Sequence, residues 1–112
     1  MIRVKTFEEI KKIIEDFCKT YSLDVAYQEF DDNEFVTDKY MVWREKQVIN
    51  HKADNKVYAS ITEYEIILHI GSTDKDLEYA LEDYLNDLGY VWSKEAPVYV
   101  EKEQMYEIVF TI

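Results

Sequence analysis

Val57-Tyr58-Ala59-Ser60-Ile61-Thr62-Glu63-Tyr64-Glu65-Ile66-Ile67-Leu68-His69-Ile70 is the longest strand-like run of the chain, and its alternation decides the fold. Tyr58, Ser60, Thr62, Tyr64, Ile66, Leu68 and Ile70 fall on one face at period two, as in an extended strand. The other face carries Glu63 and Glu65 and then Ile67. The pattern predicts a strand that is half-buried at its start and buried on both faces at its end. Gly71-Ser72-Thr73-Asp74 then breaks it.

Helical periodicity lies on either side. Downstream, at about residues 74–88, Leu77, Ala80, Leu81, Tyr84, Leu85 and Leu88 span about 140° of arc, a broad core-facing stripe. Ser72, Thr73 or Asp74 suits the N-cap, Asp76 and Glu78 suit the positive end of the helix dipole, and Gly89 suits a left-handed C-terminal cap. Upstream, at about residues 6–21, Phe7, Ile10, Ile14, Phe17 and Tyr21 fall within about 80°. Ile13 and Cys18 widen that stripe. Thr6 with Glu9 forms a capping-box pattern, and Glu8/Lys12 and Glu15/Lys19 are favourable i,i+4 pairs.

Shorter extended runs complete the pattern. Residues 25–30 and 40–44 are expected strands, separated by an acidic loop at residues 31–38. Residues 50–55 are polar and contain the turn-forming pair Asp54-Asn55. Two final strands are expected at about residues 97–101 and 105–112, joined by Lys102-Glu103-Gln104 as a hairpin or bulged bend. In the last strand Tyr106, Ile108, Phe110 and Ile112 alternate with Glu107, Val109 and Thr111. The order α-β-β-β-α-β-β predicts an α+β fold, with two helices packed on a mainly antiparallel sheet and residues 1–112 forming one domain. Ten Tyr, five Phe and two Trp against two Gly and one Pro also favour strands over a helical bundle.

Composition narrows the chemistry. Thirteen basic and 24 acidic side chains leave a formal charge of −11, so no basic groove for duplex DNA is expected. No apolar run approaches the roughly 20 residues of a membrane span, and Met1-Ile2-Arg3-Val4-Lys5 lacks the apolar core of a secretory signal. Cys18 stands alone, so no disulfide forms within the chain, and a reducing compartment is the simplest expectation. Gly71 and Gly89 cannot build a phosphate-cradling loop. Cys18, His51 and His69 lack zinc-site spacing. A calcium loop beginning at Asp31 would place Phe35 at its fifth ligand position, with no Gly following. Cys18 has no activating motif beside it, and carboxylates this numerous meet by chance. No catalytic residue, metal or cofactor is therefore expected, and the chain is not read as an enzyme.

Three segments carry a resemblance. They are Tyr40-Met41-Val42-Trp43; Ala53-Asp54-Asn55-Lys56-Val57-Tyr58 with Tyr64-Glu65-Ile66-Ile67-Leu68; and Pro97-Val98-Tyr99-Val100-Glu101 with Glu103-Gln104-Met105-Tyr106-Glu107-Ile108-Val109-Phe110. Together they resemble small structural proteins of the head–tail module of long-tailed phages and prophages of Gram-positive bacteria, and the element order looks like that of their tail-terminator (tail-completion) proteins. The similarity covers roughly residues 40–112, and the first helix agrees only in type. The resemblance implies a ring-forming protein that sits on the tail tube, stops its growth and meets the head connector. Its partners would be further copies of itself, the tail tube protein and the connector protein. It would act in the virion, and in the host cytoplasm during assembly, with neither a grip on duplex DNA nor a membrane.

A ring is a heterologous contact that closes on itself, so each subunit needs two different adhesive surfaces. Trp43, Trp92 and Tyr99 are candidate interface anchors, and core packing is the competing role for each. Asp31, Asp32, Glu34, Asp38, Glu63 and Glu65 are candidates for an acidic wall that lets DNA pass; ordinary solvated surface is their competing role. A different class of function, an acidic DNA-mimic inhibitor of a host nuclease, also fits the size and charge, as does a small partner-binding adaptor. The acids are spread over both helices and several loops and mixed with Lys, unlike a phosphate array. Because residues 31–38 are expected to be a solvated loop, Asp31→Lys combined with Asp32→Lys should leave the cooperative thermal melt intact. Loss of that melt in circular dichroism would make the loop structural.

Overall fold

The computed structural model describes residues 2–29, 39–54, 56–71 and 74–112. Its elements are β1 (Ile2–Val4), α1 (Phe7–Thr20), β2 (Asp24–Tyr27), β3 (Lys39–Ala53), β4 (Lys56–Ile70), α2 (Lys75–Asp87), β5 (Ser93–Lys94), β6 (Val98–Val100) and β7 (Met105–Thr111). The fold is α+β, and the expected order α-β-β-β-α-β-β is present with two short additions, β1 and β5. Neither addition is long enough to show an alternation of its own.

The sheet runs β2-β3-β4-β7-β5, with β1 beside β4 and β6 beside β7. β3–β4, β4–β7, β5–β7 and β6–β7 are antiparallel, whereas β1–β4 and β2–β3 are parallel. β5 and β6 continue one line along β7, interrupted around Pro97, whose ring nitrogen has no hydrogen to give a ladder. Past the end of β7, Ile112 and Tyr64 exchange backbone hydrogen bonds of 3.0 Å each.

Both helices pack on one face of the sheet. Ile10, Ile14, Phe17 and Cys18 of α1 and Leu77, Leu81 and Leu85 of α2 share one core with Met41, Trp43, Tyr64, Ile66, Leu68, Ile70, Ile108, Phe110 and Ile112. The Tyr84 hydroxyl ties the helices together by donating to the Ile13 carbonyl at 2.7 Å. Helix termini follow the local code. The side chains of Thr6 and Asp74 accept from the backbone N–H of Glu9 and Leu77. Both helices end in a left-handed residue, Ser22 at φ 56° and Gly89 at φ 84°. Leu23 N–H then bonds to Cys18 O and Tyr90 N–H to Leu85 O, the six-to-one closure of a Schellman motif. Ser22 does without glycine what Gly89 does with it.

Two local expectations change. β3 is an unbroken fifteen-residue strand, so it continues through residues 45–53, part of which the polar composition marked as loop. The register explains why: Glu45 faces Tyr64 and Gln47 faces Glu63, leaving Lys46 as an inserted bulge residue. The bulge shifts the side-chain phase by one, so the alternation visible at residues 40–44 does not carry across it. Leu88 was expected on the core stripe but is exposed, because it caps α2 after the last packed turn. Glu78 stands in the first turn of α2, at the positive end of the dipole, and is fully buried. The expected loop at residues 31–38, the strand end at Phe30, Asn55, Ser72 and Thr73 lie outside the described residues.

Core truncation should be costly and arm truncation cheap. Leu81→Ala or Phe110→Ala should each cost about 2–5 kcal/mol in denaturant unfolding, as for buried large-to-small changes. Val48→Ala, at an exposed site, should cost less than about 0.5 kcal/mol. Equal values at the core and arm positions would mean that the core is misplaced.

Candidate functional site

The chemistry of the surface begins with the length mismatch between the β3–β4 hairpin and the helices. Only residues 40–43 of β3 are paired with β2, and the last contact there is Gln28 N–H to Trp43 O at 2.8 Å. Beyond Trp43 no strand among the described residues covers the outer edge of β3. The hairpin continues to Ala53 as an arm whose other strand is braced by β1 at residues 59–61. It carries exposed Val48, Ile49 and Val57. Lengthwise the molecule measures 51 Å against 31 and 24 Å, and its radius of gyration is 15.4 Å. A compact chain of this length would have about 13 Å.

The outer part of the arm is basic on an acidic protein, whereas at its base Arg44 stands against Glu45, Glu63 and Glu65. Between residues 46 and 62 stand Lys46, Lys52 and Lys56 against the single acid Asp54. Helix α2 is the reverse. Asp76, Tyr79, Ala80, Asp83 and Asp87 form one stripe along it and, with Tyr21 from the end of α1 and Tyr84, line a shallow groove.

Charged groups also meet inside the fold. Glu78 on α2 accepts from Lys94 of β5 in a very short contact and from Lys75 at 3.4 Å, and Lys94 reaches Glu82 at 2.5 Å. Burial alone would raise the Glu78 carboxyl. The hydrogen bond and charge of Lys94, then those of Lys75, outweigh it and hold the group below its ordinary range. Burial likewise works against the charge on Lys94, but Glu78 and Glu82 hold its ammonium above the usual value. This cluster ties the short strand β5 to α2.

On the sheet face away from the helices, His69 stacks on Tyr40 with ring centroids 4.3 Å apart and planes within 10°. Glu103 lies 3.8 Å from Nδ1 and Glu107 3.8 Å from Nε2. Nδ1 is buried without a hydrogen-bond partner. Burial lowers the His69 imidazole, and Glu107 and Glu103 offset that only in part. The two carboxylates sit on opposite ring nitrogens, so they do not converge on one point. No cluster of three metal-ligating side chains forms among the described residues. Burial, then the charge of Glu15, pushes the Cys18 thiol up to about 12, which keeps it protonated beside Met41.

The candidate residues separate by environment. Trp43 is not an exposed anchor: it is 2% accessible, packed among Phe7, Tyr27 and Tyr64. Its place on the helix-facing side of β3, opposite Ile66, puts it in the core. Trp92 is half-buried against Phe110, with its Nε1 donating to Asn86 at 2.8 Å. Tyr99 is 50% exposed on β6 and rests edge-on against Tyr106. Glu63 and Glu65 are half-buried on the outer sheet face, where Gln47 donates to Glu63 at 2.6 Å and Arg44 pairs with Glu65 at 3.4 Å. Asp31, Asp32, Glu34 and Asp38 lie outside the described residues. The Glu78–Lys94 pair and the basic arm escaped the sequence reading. Lys94 is 16 residues from its partner, and the arm's charge stands out only once residues 45–53 are known to be strand. No described helix is long and apolar enough to cross a membrane.

No protein-family model matches the chain, and no curated protein matches it in sequence.

Two acid-sensitive phases should follow from these shifts. The folded value of His69 lies below 6.5, so the neutral ring contributes stability that is present above 6.5 and is lost as pH falls toward the folded value. Glu78 lies below 4.5 in the folded state, so its contribution is complete above 4.5 and is lost as pH falls through the folded value. Thermal melts across pH 7 to 3 should show His69→Leu flattening the first decline and Glu78→Gln the second. Unchanged slopes would detach these groups from acid unfolding.

Proposed function

We propose that this protein is a ring-forming structural component of the head–tail junction of a long-tailed phage or prophage, capping the tail tube and offering a surface to the head connector. The observation that carries this reading is the arm. A two-stranded ribbon projecting past its helices gains little from its own fold, and a strand edge that no described strand covers, with exposed Val48 and Ile49 beside it, is a liability that a solitary protein blunts. In an assembly the same features are contact surface. A ring needs two unlike surfaces per subunit, and the arm and the helical body differ in both shape and charge.

The other supports are the segment resemblance along residues 40–112, the α+β order, and the acidity. A wall with a formal charge of −11 per subunit does not hold phosphate, which suits a passage that DNA must traverse. The inward aromatics and the Glu78–Lys94 cluster account for buried chemistry without assigning any of it to a substrate.

The test uses tail tubes purified from the phage or prophage that encodes the chain. Gold-labelled protein should decorate one end of each tube in electron micrographs, with ring-shaped density there. Labelling along the tube length, or none on tubes with free ends, would reject the proposal.

A further inference from the structure

We infer that the basic arm of one copy docks on the acidic helix α2 of the next copy, so that self-assembly is head-to-tail and charge-driven. This deepens the ring-forming reading and rests on it. One face of the arm presents Lys46 and Lys52, both exposed, with exposed Val48 between them at period two, while Ile49 lies on the opposite face. Helix α2 presents Asp76, Asp83 and Asp87, exposed along one stripe, with the half-exposed Tyr79 between them. Each surface thus has an apolar middle flanked by charge, and the charges are opposite. Their lengths also agree. Lys46 to Lys52 spans about 20 Å as strand, and Asp76 to Asp87 spans about 16 Å as helix.

Among the described residues no hydrogen bond or ion pair holds the carboxylates of this stripe inside the subunit. Glu78 and Glu82 hold Lys94, whereas Asp76, Asp83 and Asp87 sit on the solvent side of α2. The obvious alternative between copies is edge-to-edge pairing of two β3 strands. That would bring lysine-bearing edges together, and like charges across a strand pair are destabilising. The arm-to-helix contact joins two different surfaces, so it propagates around a ring, whereas the edge-to-edge contact stops at a dimer. Duplex DNA is a poorer occupant, because the acidic body beside the arm repels phosphate and Val48 and Ile49 have no apolar counterpart there.

Charge reversal tests the contact on the full chain. Sedimentation velocity, from micromolar to millimolar protein, compares wild type with Lys46→Glu/Lys52→Glu and with Asp83→Lys/Asp87→Lys. All four sites are exposed, and melts confirm folding. Wild type should associate with rising concentration, less so on going from about 50 mM to about 500 mM salt. Each reversed variant alone should associate at least about tenfold more weakly. An equimolar mixture should regain association, because each arm then meets a groove of opposite charge.

A wild type that stays monomeric throughout overturns the inference. So does a reversed variant that associates like wild type, a mixture that fails to recover, or salt-sensitive binding of a DNA duplex that only the arm variant loses. Tail tubes separate this result from the wider reading. Tube-end binding that survives both reversals removes the arm contact and leaves the tail-terminus role. Association that follows the charges without any tube binding does the opposite.

Discussion

Strand β4 meets two different environments along one fifteen-residue run, and the remainder of the molecule is arranged around that difference. At residues 65–70 it lies between β3 and β7, with Ile66, Leu68 and Ile70 under the helices and Ile67 and His69 buried on the far face. At residues 56–62 it has left the helices, and among the described residues β3 and the three-residue β1 are the strands beside it. Hydrophobic burial therefore concentrates at one end of the hairpin, and the other is carried by backbone pairing with a few cross-strand side-chain bonds, such as Ser60 to Asn50 at 2.6 Å. A strand that ended with the core would leave a compact α+β domain. This one continues into an arm.

The bulge at Lys46 is where the change occurs. On the core side of it, Met41 and Trp43 face the helices. Beyond it the phase slips, and Val48 and Asn50 take that face, with Ile49 and His51 on the other. Neither Val48 nor Ile49 finds cover, so apolar side chains on both sides of the ribbon meet water. Bulges increase local twist, and here the insertion re-aims the arm just as it leaves the body.

Charge is distributed with the same asymmetry. The carboxylates of α2 divide into an inner pair, Glu78 and Glu82, held by Lys94 with Lys75 also on Glu78, and an outer row facing solvent. The inner pair ties a two-residue strand to α2, in addition to its pairing with β7. Removing Lys94 would strand a buried carboxylate, which is far more costly than never having placed one there. The outer row and the arm lysines are the two ends of a dipolar subunit, a property that disappears when only the total charge is counted.

Residues whose neighbours lie within a few positions were legible from sequence. The stripes of α1 and α2, the caps at Thr6 and Asp74, the turn at Gly89 and the alternation of β4 and β7 all depend on local spacing, which the chain displays directly. The paired status of Glu63 and Glu65 was not visible, since their partners Gln47 and Arg44 sit across a register that shifts at Glu45/Gln47 and again at His51/Lys52. Trp43 shows the limit most plainly: an aromatic in a strand is equally suited to a core or an interface, and only the side of the sheet on which the helices land chooses. The amino-acid order by itself determined the class and the elements, because periodicity and capping are short-range. Tertiary structure alone decided which acids are buried, how far the hairpin reaches and which surfaces stay open, because those depend on contacts between residues far apart in the chain.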